Sequence, residues 1–306
     1  MIVCCGEALI DMIPKPTTEG ATAFQPFTGG AVFNTAIALG RLDTPTELIT
    51  GLSRDLFGEQ LTAALADSGV GSAHCVRSDR PTTLAFVRLV NGQASYSFYD
   101  ENSAGRMLDE ADFPALPGSM GAAFFGGISL ISEPCGTAYE ALFTRLSDTC
   151  VTMVDVNVRP TFISDEAAYR ARVERMTARA DIVKLSDEDI RWLYGAGEED
   201  AAARRMLAAG AKVVAITLGS QGVRAHYHGG TVEVAARKAE VVDTVGAGDT
   251  FNAGLLASLH DDGALTRETI ARVPEDMLRR ALELGVRAAA VTVARSGANP
   301  PRRDEL

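Results

Sequence analysis

A glycine-rich turn followed by an acidic residue is the segment of this sequence best suited to chemistry. Gly246-Ala247-Gly248-Asp249 follows an apolar, strand-like run and precedes an amphipathic helical pattern. Backbone N–H groups of such a turn and of a first helical turn point at one spot, where the helix dipole adds partial positive charge. The small residues Gly246, Ala247 and Gly248 let a phosphate approach the backbone. The segment therefore predicts an anion-binding site.

Asp249 adds a carboxylate within reach of the same anion. A carboxylate repels a resting phosphate, so it is better explained as a base that takes a proton from an attacking hydroxyl. The alternative interpretation is a tight strand-to-helix turn with Asp249 as a capping carboxylate. A dinucleotide fingerprint is disfavoured because its third glycine would fall at Phe251, and no glycine-rich loop ends in the Gly-Lys-Ser/Thr of a Walker A motif.

A second glycine cluster has the residue types of a sugar-binding loop. Gly29 and Gly30 allow a ligand close to the backbone, and Asn34 offers both a donor and an acceptor to sugar hydroxyls. Asp11 lies just past the first predicted strand, and ligands of open parallel sheets gather at the carboxyl ends of strands. The alternatives are a plain glycine turn with Asn34 near a helix start, and an exposed loop carboxylate at Asp11.

Composition excludes several classes of partner. The chain has 306 residues, 46% of them apolar, which is enough for a sizeable core. Its 29 basic residues against 40 acidic ones give a net charge of -11, so nucleic acid and membranes are not expected partners. The longest weakly polar stretch, residues 121–131, is shorter than the roughly 20 residues that span a bilayer. Five cysteines without a metal-like spacing favour a cytoplasmic protein.

Apolar runs rich in β-branched residues alternate with segments of helical periodicity. This alternation is typical of a mainly parallel sheet covered by helices. Buried strands are predicted at residues 2–5, 47–51, 122–125, 152–155, 182–184, 212–217 and 290–293. Helices are predicted at residues 34–41, 56–67, 137–146, 167–178, 199–208, 250–260 and 274–289. The sequence therefore predicts a doubly wound α/β core.

One region departs from this alternation. Residues 82–90 and 93–99 are strand-like and are joined by Asn91-Gly92, a strong signal for a type I′ hairpin. Alternate residues of the second strand form an apolar row that ends at Phe98.

An isolated hairpin is only marginally stable, so a further strand or partner is expected beside it. The polar, proline-containing residues 12–26 are predicted to return next to the hairpin. We interpret 12–26 and 82–105 as a small β lid inserted in a single domain that spans 1–306. The apolar face of the lid would cover a site or a second subunit, which makes a homodimer through the lid a candidate assembly.

Taken together, these residues resemble the ribokinase-like (PfkB) family of carbohydrate kinases over essentially the whole chain. Residues 243–256 match the C-terminal family signature, and Gly29-Gly30 through Asn34 to Gly40 match the N-terminal one. Residues 155–160, 216–222 and 297–300 also occur in the family's order. The opening segment, the Gly-Gly loop and residues 155–160 look most like those of bacterial fructokinases.

The resemblance implies a fold and an activity. The expected fold is a three-layer α/β core with a mainly parallel central sheet and a small β-sheet lid. The expected activity is that of an ATP-dependent sugar kinase that transfers the γ-phosphoryl group to a primary hydroxyl, with fructose as the sugar. A 2-keto-3-deoxygluconate kinase and a non-catalytic sugar or nucleotide sensor are the alternatives. A nucleotide-binding oxidoreductase is disfavoured because the dinucleotide fingerprint is absent.

The resemblance also assigns roles to individual residues. It implies that Asp249 is the base and that the Gly246-Ala247-Gly248 turn is the anion hole, with Arg159 close to the transferred phosphate. The residues expected to hold the sugar are Asp11, Gly29, Gly30, Asn34, Arg159 and, from the lid, Phe98. The residues expected to contact ATP are Lys184, Thr217, Gly219, Gly222 and, at the adenine, Gly285.

The sequence departs from the family pattern at two informative positions. Ala31 stands where ribokinases carry Lys, which argues against ribose as the substrate. Asp189 replaces a family Glu that organises magnesium and its waters, so its contact to Mg²⁺ through water is expected over a shorter reach. The implied cofactors are ATP and Mg²⁺, with K⁺ as a further candidate.

Overall fold

Short runs of apolar residues form the central sheet in the computed structural model, which describes residues 1–90, 93–116 and 118–306. The strands, in chain order, are β1 (Ile2–Cys5), β2 (Leu9–Pro16), β3 (Thr22–Gly29), β4 (Thr46–Ile49), β5 (Gly51–Ser53), β6 (Val70–Gly71), β7 (Val76–Ser78), β8 (Leu84–Val90), β9 (Gln93–Tyr99), β10 (Ala122–Gly126), β11 (Val151–Asp155), β12 (Ile182–Ser186), β13 (Val213–Thr217), β14 (Val223–Tyr227) and β15 (Gly230–Val234). The helices are α1 (Ala31–Arg41), α2 (Leu56–Asp67), α3 (Cys135–Leu146), α4 (Glu166–Arg179), α5 (Asp187–Tyr194), α6 (Glu199–Ala209), α7 (Ala247–Asp261), α8 (Arg267–Ala271) and α9 (Glu275–Val293).

The main sheet has nine strands in the described chain, in the order β15-β14-β13-β12-β11-β10-β1-β4-β6. All neighbours pair in parallel except β14 and β15, which form an antiparallel edge. Successive residues of a strand face opposite sides, so Ile2 and Cys4 pack in one apolar cluster and Val3 and Cys5 in the other. Helices α1, α2, α7 and α9 cover the first side, and α3, α4 and α6 cover the second. The predicted three-layer α/β core is confirmed.

Most predicted elements are present, and two predictions were wrong. Residues 290–293, predicted as a strand, form the last turn of α9, because their apolar face continues the helical stripe that begins at Leu278. The apolar run before the glycine-rich turn is irregular and carries the exposed residues Val241, Val242 and Val245. The β-branched composition of both segments favours strands locally, but tertiary packing decides their structure.

A second sheet, with strand order β3-β2-β8-β9, lies outside the main sheet. Its strands β2 and β3 extend beyond the predicted segment 12–26, to Leu9 and Gly29, and β8 and β9 lie within 82–105. Pro26 lies on the edge strand β3, where no ladder donor is needed. We call this four-stranded sheet the lid sheet. The predicted Asn91-Gly92 turn lies outside the described residues, as do the side chains of Ala94 and Tyr96 in the predicted apolar row.

Chain order reverses at the centre of the main sheet, beside β1. Strand β1 pairs with β4 on one side and with β10 on the other, so the connections diverge there. Ligands of open parallel sheets bind at such a point, outside the carboxyl ends of the strands. Two acidic residues lie near this point. Glu7 is two residues past the end of β1, and Asp155 is the last residue of β11, two strands away from β1. No helix in the described part of the chain is long and apolar enough to cross a membrane.

Candidate active site

Helix α7 begins at the glycine-rich turn predicted to bind an anion. Gly246 has a left-handed φ of 77°, and a side chain there would come within 2.7 Å of the Ala298 Cβ. Gly248 lies in the first helical turn, where an added Cβ would meet Lys184 Nζ at 3.2 Å. No side chain caps this helix start among the described residues, so first-turn N–H groups face the site.

Asp249 and Asn34 meet at this helix start although 215 positions separate them in the chain. Asn34 Nδ2 donates a hydrogen bond of 2.9 Å to Asp249 Oδ2, and Thr35 Oγ1 donates to the Asp249 backbone oxygen at 3.3 Å. Burial raises the pKa of Asp249 to about 7; the Asn34 hydrogen bond lowers it and the nearby Asp155 carboxylate raises it. A carboxylate with such a pKa is matched to accept a proton near neutral pH.

The Gly-Gly loop brings the predicted sugar-binding residues together. An added Cβ at Gly29 would lie 2.1 Å from Asp11 Oδ2, so glycine is required there for the carboxylate to reach the loop. Gly30 has a φ of 103° and immediately precedes α1, in a conformation that favours glycine. Burial raises the pKa of Asp11 to about 6. Asp11, Gly29, Gly30 and Asn34 therefore lie around one end of α1.

Sequence reasoning missed Glu7, which holds this loop in place. Glu7 Oε1 accepts a hydrogen bond of 2.9 Å from Ala31 N, at the start of α1, and Oε2 accepts one of 3.2 Å from Ser129 N. Burial raises the pKa of this carboxyl, while hydrogen bonds from Ser129 and Ala31 oppose the rise. Glu7 thus joins the start of α1 to the segment after β10. An acidic residue directly after a fully buried strand was the available signal.

One face of the lid sheet carries Asp11 in a row of aligned residues. The strand register places Phe27, Asp11, Ala85 and Phe98 side by side across the four strands. Ala85 is fully buried, and the Phe98 ring lies 4.2 Å from that of Phe162. The row therefore runs from the core at Ala85 to the surface at Phe27, which is 37% exposed, with aromatic residues on both sides of the Asp11 carboxylate. Phe27 was not among the predicted residues.

The segment after β11 turns sharply before Arg159. Asn157 has a φ of 42°, a left-handed conformation that asparagine tolerates better than most residues. The turn leaves Asp155 buried and Arg159 exposed, with Arg159 Nη1 donating to the Val158 oxygen at 3.0 Å. Burial raises the pKa of Asp249, and the guanidinium charge of Arg159 is among the groups that lower it.

Lys184, predicted to contact ATP, is buried in the middle of β12. Its Nζ lies 3.1 Å from Asp155 Oδ2 and 3.3 Å from Oδ1. Burial lowers the pKa of Lys184, but Asp155, Asp189 and Asp249 outweigh burial and raise it, so the ammonium stays charged. Asn252 also donates to Asp155 Oδ2, at 2.6 Å. Neither Asp155 nor Asn252 was predicted as a site residue.

The other predicted nucleotide residues lie in two places. Thr217 ends β13, and Gly219 and Gly222, with φ values of 54° and 105°, form the short turn that follows it. An added Cβ at Gly222 would lie 2.1 Å from the Val234 oxygen, so this glycine is required by the backbone. Gly285 packs where α9 crosses α7, and an added Cβ there would lie 2.8 Å from the Phe251 ring.

Asp189 has a structural environment that its sequence position did not reveal. Its Oδ1 accepts from Val158 N and its Oδ2 from Ser186 N, both at 2.7 Å. The residue is buried and joins the start of α5 to the segment that follows β11. Its contact to magnesium through water stays a prediction. Within the described residues, no group of three or more His, Cys, Asp or Glu side chains is placed to hold a metal ion.

The fold and this site define a class of protein. The model of the pfkB family carbohydrate kinases matches residues 1–305. The chain therefore belongs to that family, as its resemblance implied, and has the ribokinase-like fold.

Individual relatives sharpen the comparison. The chain is 51% identical over 279 residues to a fructokinase of Rhizobium leguminosarum bv. trifolii, covering 91% of this chain and 86% of that one. It is 34% identical to a probable chloroplastic fructokinase of Arabidopsis thaliana, over 98% of this chain and 79% of the relative. The crystal structure of a Xylella fastidiosa fructokinase with bound ATP superimposes with a TM-score of 0.89 at 26% identity, covering 97% of this chain and 93% of that one.

Proposed function

We propose that this protein is an ATP-dependent fructokinase that transfers the γ-phosphoryl group of ATP to a primary hydroxyl of the sugar. The observation that carries the proposal is the hydrogen bond from half-buried Asn34 to buried Asp249 at the open start of α7. The fructokinases among its relatives, one of them 51% identical, support fructose as the sugar. They do not favour 2-keto-3-deoxygluconate, and a sensor would have no need of a buried base.

The proposed reaction begins with a proton transfer. Asp249 accepts the proton of the attacking hydroxyl, and Asn34 holds its Oδ2, which leaves Oδ1 for the substrate. Because its pKa is about 7, Asp249 is ionised in a large fraction of molecules at neutral pH while remaining basic enough to take a proton. Asp11 and the Gly29–Gly30 backbone would orient the sugar through its other hydroxyls.

Positive groups would stabilise the charge on the transferred phosphoryl group. The N–H groups of the Gly246-Ala247-Gly248 turn and first helical turn supply fixed dipoles that need no reorganisation during the reaction. The Lys184 ammonium lies behind Gly248, and the Arg159 guanidinium approaches from the segment after β11. Thr217, Gly219, Gly222 and Gly285 are the proposed ATP contacts, in keeping with the ATP-bound relative of the same fold.

We treat residues 1–306 as one kinase domain whose lid is formed by 12–26 and 82–105. The row Phe27–Asp11–Ala85–Phe98 supports this role, because Asp11 and Phe27 flank segment 12–26 on the same strands and the row places aromatic rings on both sides of the proposed sugar-binding carboxylate. A closed lid would exclude water from the site and so limit hydrolysis of ATP without sugar.

Magnesium is the proposed divalent cofactor. Mg²⁺ keeps several waters and is usually held by one or two carboxylates plus substrate phosphates, so a single carboxylate that acts through water fits it. Asp189 is the residue proposed to hold it through water, and the ion would neutralise phosphate charge. K⁺ remains a further candidate.

The outer face of the lid sheet supports a homodimer through the lid. The Phe86 ring packs edge-on against Phe24 at 4.9 Å and Tyr99 at 5.4 Å. Phe24 is 42% exposed and Tyr99 61%, which leaves apolar surface for a second subunit. Light scattering of the purified protein tests this assembly. The five buried, unpaired cysteines support the proposed cytoplasmic location.

A coupled ADP-release assay across fructose, ribose, 2-keto-3-deoxygluconate and adenosine tests the function. We expect the highest kcat/KM with fructose, and NMR of the product would identify the phosphorylated carbon. A higher kcat/KM with 2-keto-3-deoxygluconate than with fructose would make that sugar acid the substrate in place of fructose. Binding of ATP and sugar without any turnover would favour the sensor.

A further inference from the structure

A buried ion pair lies directly behind the anion-binding turn. The side chains of Lys184 and Asp155 are only 5% and 2% exposed, and the ammonium lies between both carboxylate oxygens at 3.1 and 3.3 Å. Asp155 is the last residue of β11, and Lys184, two residues before the end of the neighbouring strand β12, is its partner in the strand register. The pair therefore lies at the carboxyl end of β11.

The Lys184 ammonium can donate a hydrogen bond beyond those that it makes to Asp155. Lys184 carries three N–H donors, and its hydrogen-bond partners within the described chain are the two oxygens of Asp155. The same nitrogen is 3.2 Å from the point where a Cβ of Gly248 would stand. The space kept open by Gly248 thus adjoins a buried positive charge with a donor to spare.

Asn252 determines how the carboxylate is held. It is fully buried one turn along α7 from Gly248, and its Nδ2 donates to Asp155 Oδ2 at 2.6 Å. Its Oδ1 has no hydrogen-bond partner among the described residues, so the amide is oriented by the Asp155 charge alone. A buried polar atom without a partner is costly, and such a cost is often retained at a functional site.

We infer that Asp155 and Asn252 are positioning residues that hold the Lys184 ammonium against Gly248, where it binds the phosphates of the nucleotide. The inference rests on the proposed function in requiring ATP as the ligand, but not in requiring any particular sugar. Asp155 keeps the ammonium charged and fixed in the absence of nucleotide, and Asn252 keeps Asp155 from rotating towards another partner. The phosphate takes the remaining donor of Lys184 without displacing the carboxylate.

Calorimetric binding of ATP and of adenosine, without sugar, tests the inference. The variants are Lys184→Met, Asp155→Asn, the double variant, and Asn252→Ala, which keeps both charges. The measured quantity is selectivity, the Kd for adenosine divided by the Kd for ATP. We expect Lys184→Met to lower selectivity by about tenfold or more, Asp155→Asn by about tenfold, and Asn252→Ala by about threefold. In the presence of Lys184→Met, adding Asp155→Asn should change selectivity by less than about twofold, because Asp155 acts through Lys184.

Glu140→Gln is the matched control. Glu140 of α3 pairs with the buried Arg172 of α4, and both helices cover the opposite side of the main sheet from α7, so its loss should lower the melting temperature and leave selectivity unchanged. If Asp155→Asn does not fold, the double variant and Asn252→Ala still decide the question, since neither leaves an unpaired buried charge.

Three outcomes would overturn the inference: unchanged selectivity in Lys184→Met, unchanged selectivity in both Asp155→Asn and Asn252→Ala, or effects of the two charge variants that multiply in the double variant. Tighter ATP binding by Asp155→Asn would also overturn it, because Asp155 would then oppose phosphate binding. A parent protein that shows the expected selectivity but phosphorylates no sugar would refute the proposed function alone.

Discussion

Two aspartates at two helix starts have opposite electrostatic environments. Asp55 precedes α2 and accepts hydrogen bonds from Phe57 N and Gly58 N, as an N-cap does. Thr82 adds bonds from its backbone nitrogen and from its hydroxyl. Asp249 lies inside the first turn of α7 and has one side-chain donor in the described chain, Asn34.

The pKa values of the two carboxyls diverge accordingly. Partial burial raises the pKa of Asp55, but hydrogen bonds from Thr82 and Gly58 outweigh burial and lower it. Burial raises the pKa of Asp249 to about 7, and a single hydrogen bond does not offset it. A helix N-terminus therefore does not by itself lower a carboxyl pKa. The number of donors and the access of water decide whether the group is a cap or a base.

The largest effect expected from this difference is on turnover. Asp249→Asn keeps the size of the side chain but removes the proton acceptor, so kcat should fall by about 100-fold or more while ATP binding survives. Steady-state kinetics with fructose and ATP calorimetry measure both. Retention of near-normal kcat would mean that Asp249 is a cap like Asp55, which was the alternative interpretation of the sequence.

Substitutions at the two glycines of the turn are expected to change different quantities, kcat/KM at Gly248 and stability at Gly246. Gly248→Val should lower kcat/KM by about tenfold or more, because its side chain would fill the space between the turn and Lys184. The melting temperature should hold, since Gly248 has no left-handed φ. Gly246→Ala should instead lower stability by about 1 kcal/mol or more, because Gly246 has a φ of 77°.

Equal losses of stability in both glycine variants would contradict this division and favour a purely structural turn. Thermal melts recorded beside the kinetics provide the comparison. Of these two glycines, Gly246 has a left-handed φ and Gly248 does not.

Local patterns were sufficient to predict much of the fold. Residues 2–5 and 56–67 were predicted to the residue, because a short buried strand and a helix after Asp55 leave clear signals. The segment 290–293 was wrong because four β-branched or small apolar residues fit a strand and a buried helix end equally well. Strands β14 and β15 were missed, as their polar edge positions weaken the apolar pattern.

Site residues were likewise predicted where the signal is local and missed where it depends on distant contacts. The turn at 246–249 was found because its glycines and its acid are contiguous. Glu7, Asp155 and Asn252 act through contacts to distant parts of the chain, such as the 97 positions between Asp155 and Asn252. No local spacing encodes such contacts. The roles proposed for the site residues stay predictions until they are measured.

Removal of the Asn34 hydrogen bond to Asp249 is expected to lower kcat/KM by a smaller factor, and one that depends on pH. The parent kcat/KM for sugar should rise with pH through about 7 as Asp249 loses its proton. Because the Asn34 N–H stabilises the ionised carboxyl, Asn34→Ala should raise the pKa and move this acid limb to higher pH. The loss of kcat/KM should be about tenfold at pH 6 and smaller at pH 8. A loss of equal size at both pH values would show that Asn34 acts through its expected contact to the sugar alone and does not tune the base.

The smallest effect on activity is expected at Asp55. Asp55→Ala removes the cap of α2, which should lower the free energy of unfolding by about 1 kcal/mol and leave kcat unchanged. Hydrogen bonds hold the folded-state pKa of Asp55 below that of an unfolded aspartate, so the ionised carboxyl stabilises the protein above the unfolded pKa, and this stabilisation is lost as the pH falls through the folded pKa. The difference in stability between Asp55→Ala and the parent should therefore be full at pH 7 and shrink below pH 4, as measured by denaturant unfolding at both pH values. A difference in stability that grows on acidification would mean that the fold stabilises the protonated form of the Asp55 carboxyl. A fall in kcat would mean that Asp55, like Asp249, contributes to catalysis.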